Sequence, residues 1–152
     1  MKRKFKMNDI TIVQISDIHL NPAGKQPSFN QQLNPHVKLD MVFDDIKKIA
    51  VKPEFIVLTG DLIHEGVASD YIQLKKILEE KERQLGIPIQ VLLGNHDRTE
   101  AFYEGFLQKE PQDKYYYKKT FSGVDSYFLD TTFGNIEQGY LDSWCIITLH
   151  AL

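Results

Sequence analysis

Three short apolar runs, each followed at once by small or polar residues, constrain what this chain can fold into. They cover residues 12–15, 55–58 and 89–93. The runs are rich in β-branched residues and end abruptly, which is typical of buried strands. The segments between them have helical periodicity, and alternating strands and helices predict a parallel sheet covered by helices. We therefore expect an α/β fold in which these three strands are neighbours in one sheet.

Two of the connecting segments carry clear helix signals. Asn34-Pro35 is an N-cap followed by proline at the first helical position. The buried stripe predicted for this helix consists of Leu39, Val42, Ile46 and Ile49. Ser69 is the predicted cap of the second helix, and Gly86 its end. Its predicted buried face consists of Tyr71, Leu74 and Leu78. A shorter helix is predicted from Thr99.

The pattern changes after residue 115. Residues 115–121 and 124–130 flank Ser122-Gly123, a dipeptide that favours a tight turn, so they predict an antiparallel hairpin appended to the parallel unit. Residues 144–149 form a last apolar run, and residues 21–32 are expected to form a long loop over the edge of the sheet. No linker or repeat divides the chain, so residues 1–152 are interpreted as a single domain.

Charge and cysteine content narrow the class of partner. The chain of 152 residues has a net charge of −3, which gives no electrostatic argument for nucleic acid or membrane surfaces as partners. The single cysteine, Cys145, cannot form an internal disulfide, and this fits a reducing compartment. No apolar run approaches the roughly 18 residues of a membrane span, and no apolar stretch follows the basic first residues. We expect a cytoplasmic protein.

The residues directly after the three runs carry the chemistry. They are Asp17-Ile18-His19, Gly60-Asp61 and Gly94-Asn95-His96-Asp97. Ligands of such sheets bind outside the carboxyl ends of the strands, so all three motifs should meet at one edge. Carboxylate oxygens and imidazole nitrogens together suit divalent ions such as zinc, manganese or iron. The sequence therefore predicts a metal site at this edge.

Each motif has a structural explanation when it is taken alone. An aspartate after a strand is usually a turn former or a helix cap, and Gly-Asp in this position has a purely structural role more often still. Four consecutive residues such as Gly94-Asn95-His96-Asp97 are harder to explain as a turn. The order of the three motifs at successive strand ends favours the metal site.

In this order the motifs resemble those of the calcineurin-like metallophosphoesterase superfamily, which are Asp-x-His, Gly-Asp and Gly-Asn-His-Asp/Glu. The flanking sequence is most similar to the class III cyclic nucleotide phosphodiesterase branch. The segments that carry the resemblance are residues 14–20, 58–62, 93–97, 128–131 and 139–141. It extends from Ile10 to Trp144, which is nearly the whole chain.

The resemblance implies a sandwich of two β-sheets flanked by helices, with a dinuclear manganese, iron or zinc centre. By this resemblance Asp17 and His19 bind one cation, Asp61 bridges both, and Asn95 binds the second. A hydroxide held by the metals would attack phosphorus.

The same resemblance assigns catalytic roles to the last two residues of the third motif. His96 would contact the phosphoryl oxygens or protonate the leaving alkoxide, and Asp97 would orient His96. The expected substrate is a small phosphoester, and the branch that the sequence resembles indicates 3′,5′-cyclic AMP as the candidate.

The chain departs from the family pattern after the hairpin. The family carries a strand-end histidine and then a Gly-His-x-His motif, which is absent from this sequence. We therefore expect a domain that is incomplete at its C-terminal end, with weak binding of manganese or zinc at the first metal site and poor occupancy of the second. Uncovered sheet should favour self-association. His150 could mimic the strand-end ligand, although it lies near the terminus. His64, three residues past Asp61, has two interpretations, a residue near the site and an ordinary loop histidine, of which the second is favoured.

Three functions remain open from the sequence. The first is a metal-dependent phosphodiesterase. The second is a catalytically impaired remnant that binds a metal or a partner without turnover, which the missing histidines favour. The third is a phosphomonoesterase or nuclease, because related motif sets serve those substrates.

Overall fold

The structure is a computed structural model that describes residues 9–22, 25, 33–134, 136 and 138–140. Its strands are β1 (Ile12–Ile15), β2 (Phe55–Thr59), β3 (Ile89–Leu92), β4 (Tyr117–Phe121) and β5 (Val124–Phe128). Its helices are α1 (Pro35–Ile46), α2 (Ala68–Leu85) and α3 (Thr99–Phe102), which continues into a π-helix (Tyr103–Leu107). The last apolar run, His150, Cys145 and most of the 21–32 segment lie outside the described residues.

The first three strands form one parallel sheet, as predicted. β2 lies between β1 and β3, with Ile12 opposite Phe55 and Ile56 opposite Ile89. All residues of β2 except Thr59 are buried, because the strand is covered on both faces. The α/β fold class is confirmed, and the carboxyl ends of all three strands reach the same edge.

Helix α1 begins as the sequence predicts but buries a different stripe. The Asn34 side chain accepts a hydrogen bond of 2.9 Å from the backbone N–H of His36. The buried residues are Pro35, Leu39, Phe43 and Ile46. Val42 and Ile49 of the predicted stripe are exposed, and Phe43 is fully buried. Phe43 follows Leu39 by four residues and precedes Ile46 by three, so these side chains share one face, whereas Ile49 lies beyond the end of the helix.

Helix α2 packs the predicted face but begins two residues earlier than its predicted cap allows. Ser69 lies inside the first turn, and the N-cap position is Val67, whose N–H donates a 2.9 Å hydrogen bond to the Asp70 carboxylate. A carboxylate in the first turn satisfies an N–H that has no partner within the helix. The helix ends, as predicted, at Gly86, which is left-handed with φ of 61°.

The hairpin β4–β5 is antiparallel, turns at Ser122-Gly123 as predicted, and covers one face of the parallel sheet. Phe55 and Val57 of β2 point to this side and form a small core with Phe128 of β5. The alternate residues Ile56 and Leu58 point to the helices and belong to the larger core. The parallel sheet is therefore held between a helical layer and a β-layer, which leaves its carboxyl edge accessible.

Candidate metal centre

The backbone at the carboxyl edge adopts a conformation that non-glycine residues rarely take. Asp17, His19 and Asp61 have φ values of 56°, 39° and 50°. Hydrogen bonds between the loops after β1 and β2 hold this conformation. The Asp17 N–H donates to the Gly60 carbonyl, and the His19 N–H donates to the Asp61 carbonyl at 2.9 Å. Left-handed backbone in such residues carries strain and is concentrated at functional sites. The three predicted ligands from β1 and β2 are all strained in this way.

These three side chains converge. His19 Nε2 lies 3.6 Å from Asp61 Oδ2 and 4.0 Å from Asp17 Oδ1. One ligand atom from each of the three residues lies within 4.8 Å of the others, and among the described histidine, cysteine and acidic residues no other trio does so. Two carboxylates and one imidazole are a donor set that suits borderline divalent cations. Asp17, His19 and Asp61 therefore fit a metal ion, which agrees with the sequence-based expectation of a metal site here.

The protonation state of His19 favours metal binding. Burial lowers the pKa of its imidazole, and the nearby His96 and His64 lower it further. The carboxylates of Asp61 and Asp17 oppose this shift. The net direction is downward, so the imidazole is kept neutral, and the neutral form is the one that donates a nitrogen lone pair to a cation.

The loop after β3 wraps around Asp61. The His96 N–H donates a 3.1 Å hydrogen bond to Asp61 Oδ1. Gly94 lies against the same carboxylate, because a Cβ atom built at this glycine would be 2.1 Å from Asp61 Oδ1. The absence of a side chain at Gly94 therefore permits the close approach that positions Asp61.

Asp97 has partners that the sequence did not predict. Its carboxylate accepts hydrogen bonds from the backbone N–H groups of Leu62, Ile63 and Gly94, and from the Tyr71 hydroxyl at 2.9 Å. Burial raises the pKa of Asp97, and these donors oppose the rise. The orientation of the His96 ring by Asp97 stays a prediction. Asp97 joins the loops after β2 and β3 and so fixes the backbone that carries His96.

Asn95 and His96 lie at a cleft of about 890 Å³ next to the metal-binding residues. The cleft is lined on this side by the loop after β3, and on the other by residues that precede and follow the hairpin, among them Lys114 and Phe133. The exposed Arg98 also contributes to its wall. The ligand role of Asn95 and the catalytic role of His96 stay predictions, and the cleft gives both residues access to a bound molecule.

Of the two interpretations of His64, the structure supports the less favoured one, because its ring lies within this cluster. Its ring centroid is 4.7 Å from that of His96 and 5.9 Å from that of His19, and the rings of His19 and His96 are 5.3 Å apart. The sequence offered one weak signal, the short distance of three residues from Asp61. The contact with His96 comes from a different strand-end loop, so only the packing of the two loops brings these rings together.

Comparison with known proteins identifies the family. The family model for calcineurin-like phosphoesterases matches residues 10–150. The chain belongs to this family. Its members are hydrolases of phosphoester bonds that use divalent metals, and the candidate centre of Asp17, His19 and Asp61 agrees with this dependence.

Curated relatives of this calcineurin-like phosphoesterase are named as phosphodiesterases. A probable glycerophosphodiester phosphodiesterase of Arcobacter nitrofigilis is 32% identical over 95 residues, which cover 62% of this chain and 33% of the relative. A cAMP/cGMP dual specificity phosphodiesterase of Mycobacterium tuberculosis is 27% identical over 103 residues, which cover 68% of this chain and 32% of the relative. A probable cyclic nucleotide phosphodiesterase of Moraxella catarrhalis is 35% identical over 89 residues, which cover 58% of this chain and 27% of the relative. The chain spans about a third of the length of the curated relatives it matches.

Among the described helices, none has the length and apolar character required to cross a membrane.

Proposed function

We propose that this chain carries the first metal site and the phosphoryl-contacting residues of a metal-dependent phosphodiesterase. The observation that carries the proposal is the convergence of Asp17, His19 and Asp61 at the carboxyl edge of the sheet, with donor atoms within 4.8 Å of one another. Asp61 follows the buried strand β2, and the backbone N–H groups of Asp17 and His19 donate hydrogen bonds to the loop after that strand, so the core fixes one residue and backbone bonds fix the other two. Manganese, iron and zinc are the cations that the donor set suits.

The residues of this site divide into ligands and substrate contacts. Asp17, the neutral imidazole of His19 and Asp61 would hold one cation, and Asp61 with Asn95 would contribute to a second. The cations would supply an activated water molecule and neutralise charge at the phosphoryl group. His96 would contact a phosphoryl oxygen or give a proton to the leaving alkoxide. Both backbone polar groups of His96 are hydrogen-bonded. Its N–H donates to the Asp61 carboxylate, and its carbonyl accepts from the Glu65 N–H at 3.1 Å.

The proposed substrate is a small phosphodiester, with 3′,5′-cyclic AMP as the first compound to test. The names of the relatives support this class, since they act on cyclic nucleotides or glycerophosphodiesters. A cleft of about 890 Å³ would have room for the organic group beside His96. Arg98 and Lys114 supply positive charge to its wall, which also carries the acidic residues Glu65, Glu100 and Asp113, so the cations would be needed to attract a phosphoester. Phosphomonoesters and nucleic acid ends are the alternative substrates.

A second candidate function is binding of metal or a partner without turnover. The observation that favours it is that, among the described histidine, cysteine and acidic residues, a single trio brings its donor atoms within 4.8 Å of one another, whereas the proposed reaction uses two cations. Two further proposals concern the location and the self-association of the protein. The lone cysteine supports a cytoplasmic location. The half-exposed Ile12 on β1, which lies at the edge of the described parallel sheet, supports self-association through uncovered sheet.

Hydrolysis of bis-p-nitrophenyl phosphate with added Mn²⁺ tests the proposed activity. The unchanged chain should release p-nitrophenol at a rate that Asp61→Ala lowers by a factor of at least about 100, because Asp61 is central to the ligand set. Asp125→Ala is the matched control, since it removes an exposed hairpin carboxylate. Equal rates for the unchanged chain and Asp61→Ala would rule out the enzymatic function. A parallel assay with cyclic AMP and glycerophosphodiesters assigns the substrate.

A further inference from the structure

The position of His64 is fixed as firmly as that of the predicted site residues. The residue before it, Ile63, pairs with Leu20 in an isolated parallel bridge, and its N–H donates a 3.1 Å hydrogen bond to Asp97. The residue after it, Glu65, donates its N–H to the His96 carbonyl. The backbone of His64 is thus held from both sides by the residues that hold the candidate site.

The ring of His64 packs against the ring of His96, and His96 lines the cleft. The His64 ring is closer to the ring of His96, at 4.7 Å, than to that of His19, at 5.9 Å. Its neighbour Glu65 and its ring partner His96 both line the cleft. His64 is outside the trio of described donors that lie within 4.8 Å of one another. Its location therefore matches that of a group that contacts a bound molecule better than that of a ligand to the first cation.

We propose that His64 is a second phosphoryl-contacting residue, which forms with His96 a pair of imidazoles that donate N–H groups to two oxygens of one tetrahedral oxyanion. A phosphoryl group offers several acceptor oxygens, and two fixed donors bind it with more orientation than one. The inference rests on the proposed function, because it requires a phosphoryl group at this site. It adds a residue that the Asp-x-His, Gly-Asp and Gly-Asn-His-Asp motifs do not contain.

Binding of inorganic phosphate to the Mn²⁺-loaded chain tests this role separately from catalysis. Calorimetry measures the Mn²⁺ affinity first, and the phosphate affinity at saturating Mn²⁺ second. His64→Ala should raise the Kd for phosphate about tenfold or more, the loss expected for one hydrogen bond to a charged group. The Kd for Mn²⁺ should change less than twofold. His64→Gln keeps an N–H donor and should recover part of the phosphate affinity. His36→Ala, on the first turn of α1, is the matched control and should change neither constant.

Four outcomes of these binding measurements would overturn the role proposed for His64. Unchanged phosphate binding in His64→Ala would overturn the inference, and so would an equal loss of Mn²⁺ and phosphate affinity, which would make His64 a metal ligand or a structural residue. If His64→Ala does not fold, His64→Gln gives the decision, because full loss of phosphate binding in that folded variant would contradict the donor role. Failure of the unchanged chain to bind Mn²⁺ would refute the proposed function and this inference together. Normal Mn²⁺ and phosphate binding with no effect of His64 would refute the inference alone.

Discussion

Replacing Gly94 with alanine should disrupt the candidate metal centre although the side chain it adds is a single methyl group. The new Cβ atom would be 2.1 Å from Asp61 Oδ1 and 2.4 Å from the Asp61 backbone nitrogen. Contacts below 3.0 Å essentially never occur for real Cβ atoms, so either Asp61 or the loop after β3 must move. The atoms that clash belong to a proposed metal ligand and to its own backbone, which leaves no flexible side chain to absorb the change.

The expected cost follows from the contacts that the movement would break. The His96 N–H bond to Asp61 is 3.1 Å long, and the Gly94 N–H bond to Asp97 is 2.9 Å long. Hydrogen bonds to charged groups contribute about 1.5–3 kcal/mol each, and overpacking costs about 1–3 kcal/mol. Because these contributions overlap, we expect the free energy of unfolding to fall by about 3 kcal/mol. The affinity for Mn²⁺ should fall at least about tenfold, since Asp61 would leave the ligand cluster.

Gly105→Ala is the matched control for this variant. Its Cβ atom would also be 2.1 Å from an oxygen, the Ala68 carbonyl, but this contact joins the π-helix to α2 and involves none of the proposed ligands. Urea unfolding in the presence of EDTA measures the stability of both variants, and calorimetry below the unfolding transition measures their Mn²⁺ affinity. Both variants should be destabilised, and only Gly94→Ala should lose metal affinity. Wild-type Mn²⁺ binding in Gly94→Ala, or a stability loss below about 1 kcal/mol, would refute the reasoning.

Two further substitutions test the loops and the core. Tyr71→Phe removes the hydroxyl that donates to Asp97 and accepts from the Arg98 N–H, so it should lower the free energy of unfolding by about 1.5–3 kcal/mol. Burial raises the pKa of Asp97 in the folded state, so ionisation of Asp97 lowers the free energy of unfolding as the pH rises. Loss of the Tyr71 donor raises this pKa further, because the donor stabilises the ionised carboxylate. Urea titrations should thus show that Tyr71→Phe loses more free energy of unfolding at neutral pH than at pH about 4. A loss that does not depend on pH would contradict this account. Phe43→Ala should cost about 3–5 kcal/mol and Val42→Ala about 0.5 kcal/mol, and equal costs in thermal unfolding would restore the originally predicted stripe.

The helix α1 shows where sequence pattern reaches its limit. Both Val42 and Phe43 are apolar, and the spacings from Leu39 allow either residue to share its face. The choice depends on which side of the helix lies on the sheet and on where the helix ends, and neither is encoded in the local spacing. Packing favours Phe43, which fills the interior with the larger side chain and is fully buried.

The site shows the same division between local and tertiary information. His64 and His96 lie 32 positions apart on different loops, yet their rings are 4.7 Å apart. Asp97 is adjacent to His96 in sequence, which suggested a pairing of their side chains. That pairing stays a prediction, and the structure adds four donors to the Asp97 carboxylate, on and around the neighbouring loop, which the sequence did not indicate. The left-handed backbone of Asp17 likewise has no sequence signature, since only bonds between loops hold it.

The sequence by itself determined the strands, their parallel arrangement, the hairpin and the edge at which the three motifs meet. These features follow from local periodicity and from the geometric fact that parallel strands end on the same side of a sheet. Only the tertiary structure decided which loop atoms touch one another around Asp61, because contacts between segments distant in sequence depend on close packing within fractions of an ångström. The glycine at position 94, the carboxylate of Asp97 and the ring of His64 take their roles from that packing.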